Sequence, residues 1–179
     1  MEDPDLLLSF IHEDAPFGDI TSDAVIGTAR CRAHIVAREE GVIAGIEEAV
    51  FLFRHFGVDV NLLVADGDSV RAGTAVLELA GPARQILLVE RTALNILGRM
   101  SGIASLTRHC VLLLSQSGRN CRIAATRKTA PGLRKLDKKA VVIGGGDPHR
   151  FSLSDGILIK DNHLALVRID DAVRAAKQA

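Results

Sequence analysis

The residues best suited to chemistry lie between positions 126 and 163, on short segments punctuated by glycine. The apolar run RIAAT ends at Thr126 and delivers Arg127 and Lys128, His149 and Arg150 sit within GGGDPHR, and the run GILI leads to Lys160 with Asp161, Asn162 and His163 just beyond. Short apolar runs that alternate with helical stretches indicate the start of a parallel α/β layer. In such a layer the groups at the C-terminal ends of the strands line one shared pocket. Arg127, Lys128, Arg150 and Lys160, with His149, would then bring four fixed cations and an imidazole to three adjacent elements. Gly144, Gly145 and Gly146 permit the tight loop that presents His149 and Arg150. Arginine grips carboxylate or phosphate with a rigid fork and lysine acts as a flexible point charge, so the mixture suits a small ligand carrying several anionic groups. The plainer alternative is that Arg127 and Lys128 are solvated loop residues.

The concentration is local, because 22 basic and 22 acidic side chains cancel over the 179 residues. No global field draws the chain to nucleic acid or to an anionic membrane. Cys31, Cys110 and Cys121 are odd in number and form no CxxC pair, so free buried thiols are expected rather than a disulfide framework or a zinc site. The scattered histidines show no HExxH spacing, and no side chain is assigned as a metal ligand. The acidic start MEDPD lacks a secretory signal's basic flank, and no apolar run reaches the eighteen or so residues that a membrane span needs. A cytoplasmic location is the resulting expectation.

Several elements must position those groups. Asp3 and Pro4 suit the cap and first position of a helix through Leu6, Leu7, Phe10 and Ile11. Arg30 to Arg38 alternates as a half-buried strand with Cys31, Ala33, Ile35 and Ala37 on one face. Ile46 to Phe56 is helical and stopped by Gly57, and strands are expected over Val58 to Val64 and Ala75 to Leu79. The intervening VADGDSVRAGTAVLELAG resembles biotinyl and lipoyl carrier domains. It has no lysine for attachment, since none occurs before Lys128, so a likeness of fold rather than function is expected. From Pro82 as first helical residue, a helix pair broken near Ser101 and Gly102 and ended by Gly118 bridges to the α/β layer. A further helix runs through Val142. Asp19 reads as a capping or turn residue, Glu90 and Arg91 as a structural ion pair, and His163 as a cap after its strand.

The strings ERTALNILGRMSGIAS, ATRKTAPGLRKLDKKAV, GGGDPHR and LIKDNH, with the earlier GDITSDAV, resemble the successive signatures of quinolinate phosphoribosyltransferases, in order and over nearly the whole chain. The resemblance implies an α/β protein: an α+β N-terminal sheet domain with bridging helices over 1–118, then the first part of an α/β barrel over 119–179. It also implies a homodimer, or a higher even oligomer, whose subunits complete each other's sites. The implied reaction joins quinolinate to 5-phosphoribosyl-1-pyrophosphate with Mg2+, giving nicotinate mononucleotide, pyrophosphate and carbon dioxide for NAD biosynthesis. Carried over by position, Lys128 and Lys160 are catalytic. Arg91, Thr126, Arg127, Lys128, His149, Arg150 and Lys160 bind substrate, with Arg91 reaching the neighbouring subunit's pocket.

Ala125 stands where many members of that family carry aspartate before TRKT, and Pro148 replaces an asparagine before HR. Two alternatives therefore stay open. One is a phosphoribosyltransferase-like protein of the molybdate-transport-associated type with another acceptor, and the other is a non-catalytic, dimerising, anion-binding fragment. A full eight-unit barrel takes about 250 residues, whereas Cys121 to Ala179 is 59 residues. The expectation is a barrel that is incomplete on its C-terminal side and a chain that is inactive alone.

Overall fold

A computed structural model describes residues 3–179; Met1 and Glu2 of the acidic start lie outside the described residues. Helix α1 (Pro4–Asp14) begins as expected, with the Asp3 side chain accepting the Leu6 N–H and Pro4 in the first turn. Leu7 and Ile11 form its buried stripe. Helix α2 (Ile20–Val25) is an addition to the sequence reading. Asp19 caps it by accepting from the Thr21 and Ser22 backbone, and the Ser22 hydroxyl and backbone bonds hold the Asp19 carboxyl below its ordinary range.

Strand β1 (Arg30–Val36) leads to the two-residue β2 (Gly41–Val42), helix α3 (Ile46–His55), β3 (Asp59–Leu62), the two-residue β4 (Ser69–Val70) and β5 (Ala75–Pro82). The main sheet is antiparallel in the order β1-β5-β3, with His34 opposite Glu78 and Asn61 opposite Glu78 on the other side. Strands β2 and β4 pair separately. Ala33 and Ile35 are half-buried as the alternation requires, but β1 ends two residues before Arg38, after an irregularity at Ile35/Val36. Leu52 and Phe53 of α3, Leu77 of β5 and Val89 beyond it are fully buried and form the centre of the core.

Helix α4 (Ala83–Gln116) is one uninterrupted helix of 34 residues, not a broken pair. Each glycine within a helix costs about 1 kcal/mol relative to alanine. Against that, α4 buries Val89, Ala93, Ile96, Leu97, Met100 and Ala104 along one stripe. Ser101, expected to mark the break, bonds instead to the β2 segment, and so does Ser105 one turn on. Ser101 Oγ accepts the Ala44 N–H at 3.0 Å, and Ser105 Oγ accepts the Val42 N–H at 2.8 Å. Pro82 is the N-cap rather than the first helical residue. Gly118 does follow the helix end, in the left-handed region with φ +67.

Helix α5 (Arg134–Ile143) packs on α4 and is tied to three N-terminal elements. Lys135 pairs with Asp3, and Lys139 pairs with both Glu47 and Glu48 of α3. Asp137 takes a two-point grip from Arg99 of α4, at 2.7 and 2.8 Å. The short α6 (Asp161–Leu164) and α7 (Ile169–Gln178) follow.

The mixed helix-and-sheet class agrees with expectation, but neither strand expected beyond α4 forms. RIAAT makes one isolated parallel bridge, Ala124 with Asp147, and GILI makes no ladder among the described residues. A parallel strand is defined by bonds to its neighbours, and here only Asp147 supplies them. The thiols also differ from expectation: all three are free, but Cys31 and Cys121 are exposed and Cys110 is half-buried. Cys31 lies on the edge strand β1 and Cys121 in the loop after α4, where no second layer covers them. No helix among the described residues is long and apolar enough to cross a membrane.

Candidate anion-binding site

The site grows from the single parallel bridge. The Asp147 N–H donates to Ile123 O at 2.8 Å and the Ala125 N–H donates to Asp147 O at 2.9 Å. Beyond that crossing the two chains separate, one carrying Thr126, Arg127 and Lys128, the other Pro148, His149 and Arg150. Asp147 directs the second of these, since its carboxylate accepts the His149 N–H at 2.9 Å and pairs with Arg122 at 2.8 Å. Arg150 reaches a third segment, donating to Gly156 O at 2.6 Å. That segment leads to Lys160, whose N–H donates to His163 Nδ1 at 2.9 Å, so His163 caps as expected.

The triple glycine does more than turn the chain. A Cβ on Gly144 would lie 2.6 Å from Ala104 O and from Thr107 Cβ, so the loop rests directly on the α4 backbone. Gly145 has φ +92, a conformation that a side chain disfavours. Arg108 of α4 completes the contact by donating to Gly144 O and Ile143 O at the end of α5.

Thr126, Arg127, Lys128, His149, Arg150 and Lys160 all line one cleft of about 510 Å³, with Ala125, Gly156, Ile157 and Leu158. Six of the seven residues expected in the site are thus brought together. The seventh, Arg91, is exposed on α4 and lines no part of this cleft. Among the described residues no ion pair engages Arg127, Lys128, Arg150 or Lys160, nor does one join Glu90 to Arg91 as expected. Adjacent positions on a helix point away from each other, which accounts for the missing Glu90–Arg91 pair.

Two other clefts lack this bias. One of about 430 Å³ sets Arg99 against Glu13 and Asp14, and one of about 380 Å³ sets Arg38 against Glu39 and Glu40. In the cationic cleft, Arg127 Nε and Arg150 Nε are buried without a hydrogen-bond partner. An unpaired buried donor costs about 1–3 kcal/mol, so a ligand that accepts from these forks would recover that energy. The nearby Asp155 faces its own turn, accepting from Phe151 and Ser152; its Ser152 bonds hold the carboxyl below the usual range. Among the described residues no three His, Cys, Asp or Glu side chains converge on a metal position.

Sequence reasoning passed over Lys138. It is 1% exposed on α5, yet its ammonium donates to Ala125 O, Pro148 O and Arg150 O. Burial holds it below the ordinary lysine value, with the Arg134 charge acting in the same direction. Nothing in RKLDKKAVVI distinguishes this lysine from Lys135 or Lys139, because all three are charged positions in an amphipathic helix.

Known proteins resemble the chain in sequence and in overall fold. A family model described as quinolinate phosphoribosyl transferase, N-terminal domain, matches residues 19–101, and one described as the C-terminal domain matches residues 103–179. A probable carboxylating nicotinate-nucleotide pyrophosphorylase of Methanothermobacter thermautotrophicus is 49% identical over 97% of the chain and 63% of its own length. Its counterpart in Bacillus subtilis is 46% identical over 97% of the chain and 61% of its own length. The crystal structure of NadC from Streptococcus pyogenes superimposes with a TM-score of 0.91 at 37% identity, over 99% of this chain and 64% of that one. The chain therefore spans less than two thirds of these relatives.

Proposed function

The chain belongs to the quinolinate phosphoribosyltransferase family, and from that premise we propose that the cleft between Thr126 and Lys160 takes part in forming nicotinate mononucleotide from quinolinate and 5-phosphoribosyl-1-pyrophosphate. The observation that carries this reading is the set of cations without carboxylate partners around one cleft, two of them with buried, unsatisfied Nε atoms. Quinolinate presents two adjacent carboxylates and the donor presents a 5-phosphate and a pyrophosphate, so the cations of the cleft have anionic acceptors to match.

In this reading Arg127 and Arg150 hold carboxylate in fork geometry, while Thr126 and His149 add hydrogen bonds at the rim. Lys128 and Lys160 place charge where it develops as pyrophosphate leaves the anomeric carbon. The ring nitrogen supplies its lone pair to that carbon as the C–O bond to pyrophosphate breaks. Fixing the ring against the anomeric carbon replaces a bimolecular encounter with a near-attack geometry. The resulting pyridinium then accepts the electron pair released when the adjacent carboxylate departs as carbon dioxide, and a proton takes the vacated ring position. No side chain here has to act as a general base.

Magnesium would accompany the donor and offset charge on its pyrophosphate. The carboxylates beside the cleft do not suit it, since Asp147 is committed to Arg122 and Asp155 to its own turn, so no residue is assigned to the metal. Arg91 stands outside the cleft of its own chain, which supports a role in the pocket of a second copy in a homodimer.

The test incubates the protein with the phosphoribosyl donor, magnesium and either quinolinate or nicotinate, following mononucleotide and carbon dioxide. In a form extended to the full length of these relatives, mononucleotide with equimolar carbon dioxide from quinolinate, and none from nicotinate, is expected. Turnover of nicotinate with none of quinolinate would contradict the proposed acceptor.

A further inference from the structure

We propose that Lys138 is a positioning residue of the cleft, its buried ammonium tying the loop of Arg127 and Lys128 to the loop of His149 and Arg150. Its relevance to substrate rests on the function proposed above; the tie itself is geometric. Among the described residues, the two loops are joined in the backbone only at the Ala124–Asp147 bridge. Immediately past that bridge, where the functional side chains begin, Lys138 Nζ donates to Ala125 O at 3.3 Å, to Pro148 O at 2.7 Å and to Arg150 O at 3.2 Å. An ammonium has three donors and all three are used, on carbonyls of both loops.

The placement is costly. Lysine is almost never fully buried without a paired charge, and among the described residues no carboxylate forms an ion pair with Lys138. Its neighbours Lys135 and Lys139 do have carboxylate partners, which hold α5 to the N-terminal elements. Of the three lysines, Lys138 reaches the carbonyls of the cleft loops instead, so α5 connects the core to both of them. It does not line the cleft, and therefore acts through the groups it holds. The residues that depart from the family's pattern, Ala125 and Pro148, both bond to it through main-chain carbonyls. The tie is thus independent of the side chains at those two positions.

The test compares Lys138→Met, which keeps the length but removes every donor, and Lys138→Gln, which keeps two donors without charge, with Leu136→Ala, a buried change on the same helix away from the loops. Hydrogen exchange over residues 122–128 and 147–151 and the equilibrium affinity for quinolinate are measured on the full chain. Lys138→Met is expected to raise exchange in those two segments at least tenfold relative to α4 and to weaken quinolinate at least tenfold. Lys138→Gln should fall between it and the parent, and it serves as the test variant if Lys138→Met does not fold. Leu136→Ala should lose stability while retaining both properties. Unchanged exchange in the two segments, or equal losses in Leu136→Ala, overturns the proposal. If the parent chain binds no quinolinate, the proposed function falls, while the exchange comparison still decides the role of Lys138.

Discussion

Replacing Arg99 with methionine should destabilise the chain through the carboxylate it leaves behind. Asp137 is 6% exposed and accepts two bonds from the Arg99 guanidinium, Nε at 2.7 Å and Nη2 at 2.8 Å. Those bonds raise the Arg99 pKa, the hydrogen bond to Asp137 outweighing burial. Removing one partner of a buried ion pair costs about 3–5 kcal/mol. The Arg99 side chain is 39% exposed, so water can reach part of the vacated space and about 2–3 kcal/mol is the better expectation. For a chain of this size that lowers the melting temperature by roughly 4–12 °C. Urea and thermal unfolding of Arg99→Met, Asp137→Leu and the double variant would separate the causes. The double variant removes both charges and should recover most of the loss, because an apolar pair of similar volume is often no worse than a buried ion pair. A stability change below about 0.5 kcal/mol in Arg99→Met, within the range of ordinary surface substitutions, would refute this account of how α5 is anchored.

Lys139 should stabilise the chain in a pH-dependent way. Its hydrogen bond is the main cause that lowers the Glu47 carboxyl from 4.5 to about 2. A depressed carboxyl contributes stability above its unfolded value and loses it as pH falls towards the folded one. The melting-temperature gap between the parent and Lys139→Met should therefore narrow between pH 5 and pH 2. Glu47 is half exposed, so on the order of 1 kcal/mol is involved. Gly144→Ala should cost about 1–3 kcal/mol by overpacking and weaken anion binding in the adjoining loop, since its Cβ would meet backbone at Ala104; a stable variant with full affinity would count against the loop's dependence on α4. If Arg91 serves a second copy's pocket, mixing inactive Arg91→Ala and Lys128→Ala protomers, each in a form extended to the relatives' full length, should restore part of the activity, and no recovery despite subunit exchange would exclude a shared site.

The N-terminal sheet and its helices were legible because local signals agreed with tertiary packing: Asp3 and Asp19 cap helices, β1 alternates, and α3 stops at Gly57. The break placed at Ser101 and Gly102 was misread because helix propensity is local, whereas the bonds from Ser101 and Ser105 to the β2 segment span about sixty residues of sequence. The site residues were legible as charges clustered after short apolar runs, and all but Arg91 meet in one cleft. RIAAT and GILI have strand composition, but a strand also requires neighbours that composition cannot specify. Lys138 was invisible for a related reason: only the folded arrangement turns one lysine of α5 inward while those on either side bind carboxylates.

The central claim, that the cations around the cleft recognise a pyridine dicarboxylate, is tested most directly by the equilibrium affinity for quinolinate against nicotinate, in the parent and in Arg127→Ala. Each charge-assisted contact is worth about 1.5–3 kcal/mol, so quinolinate should bind at least tenfold more tightly than nicotinate. Arg127→Ala should remove at least a tenfold share of the quinolinate affinity. Equal affinity for the two acids, or quinolinate binding unaltered by Arg127→Ala, would contradict the account.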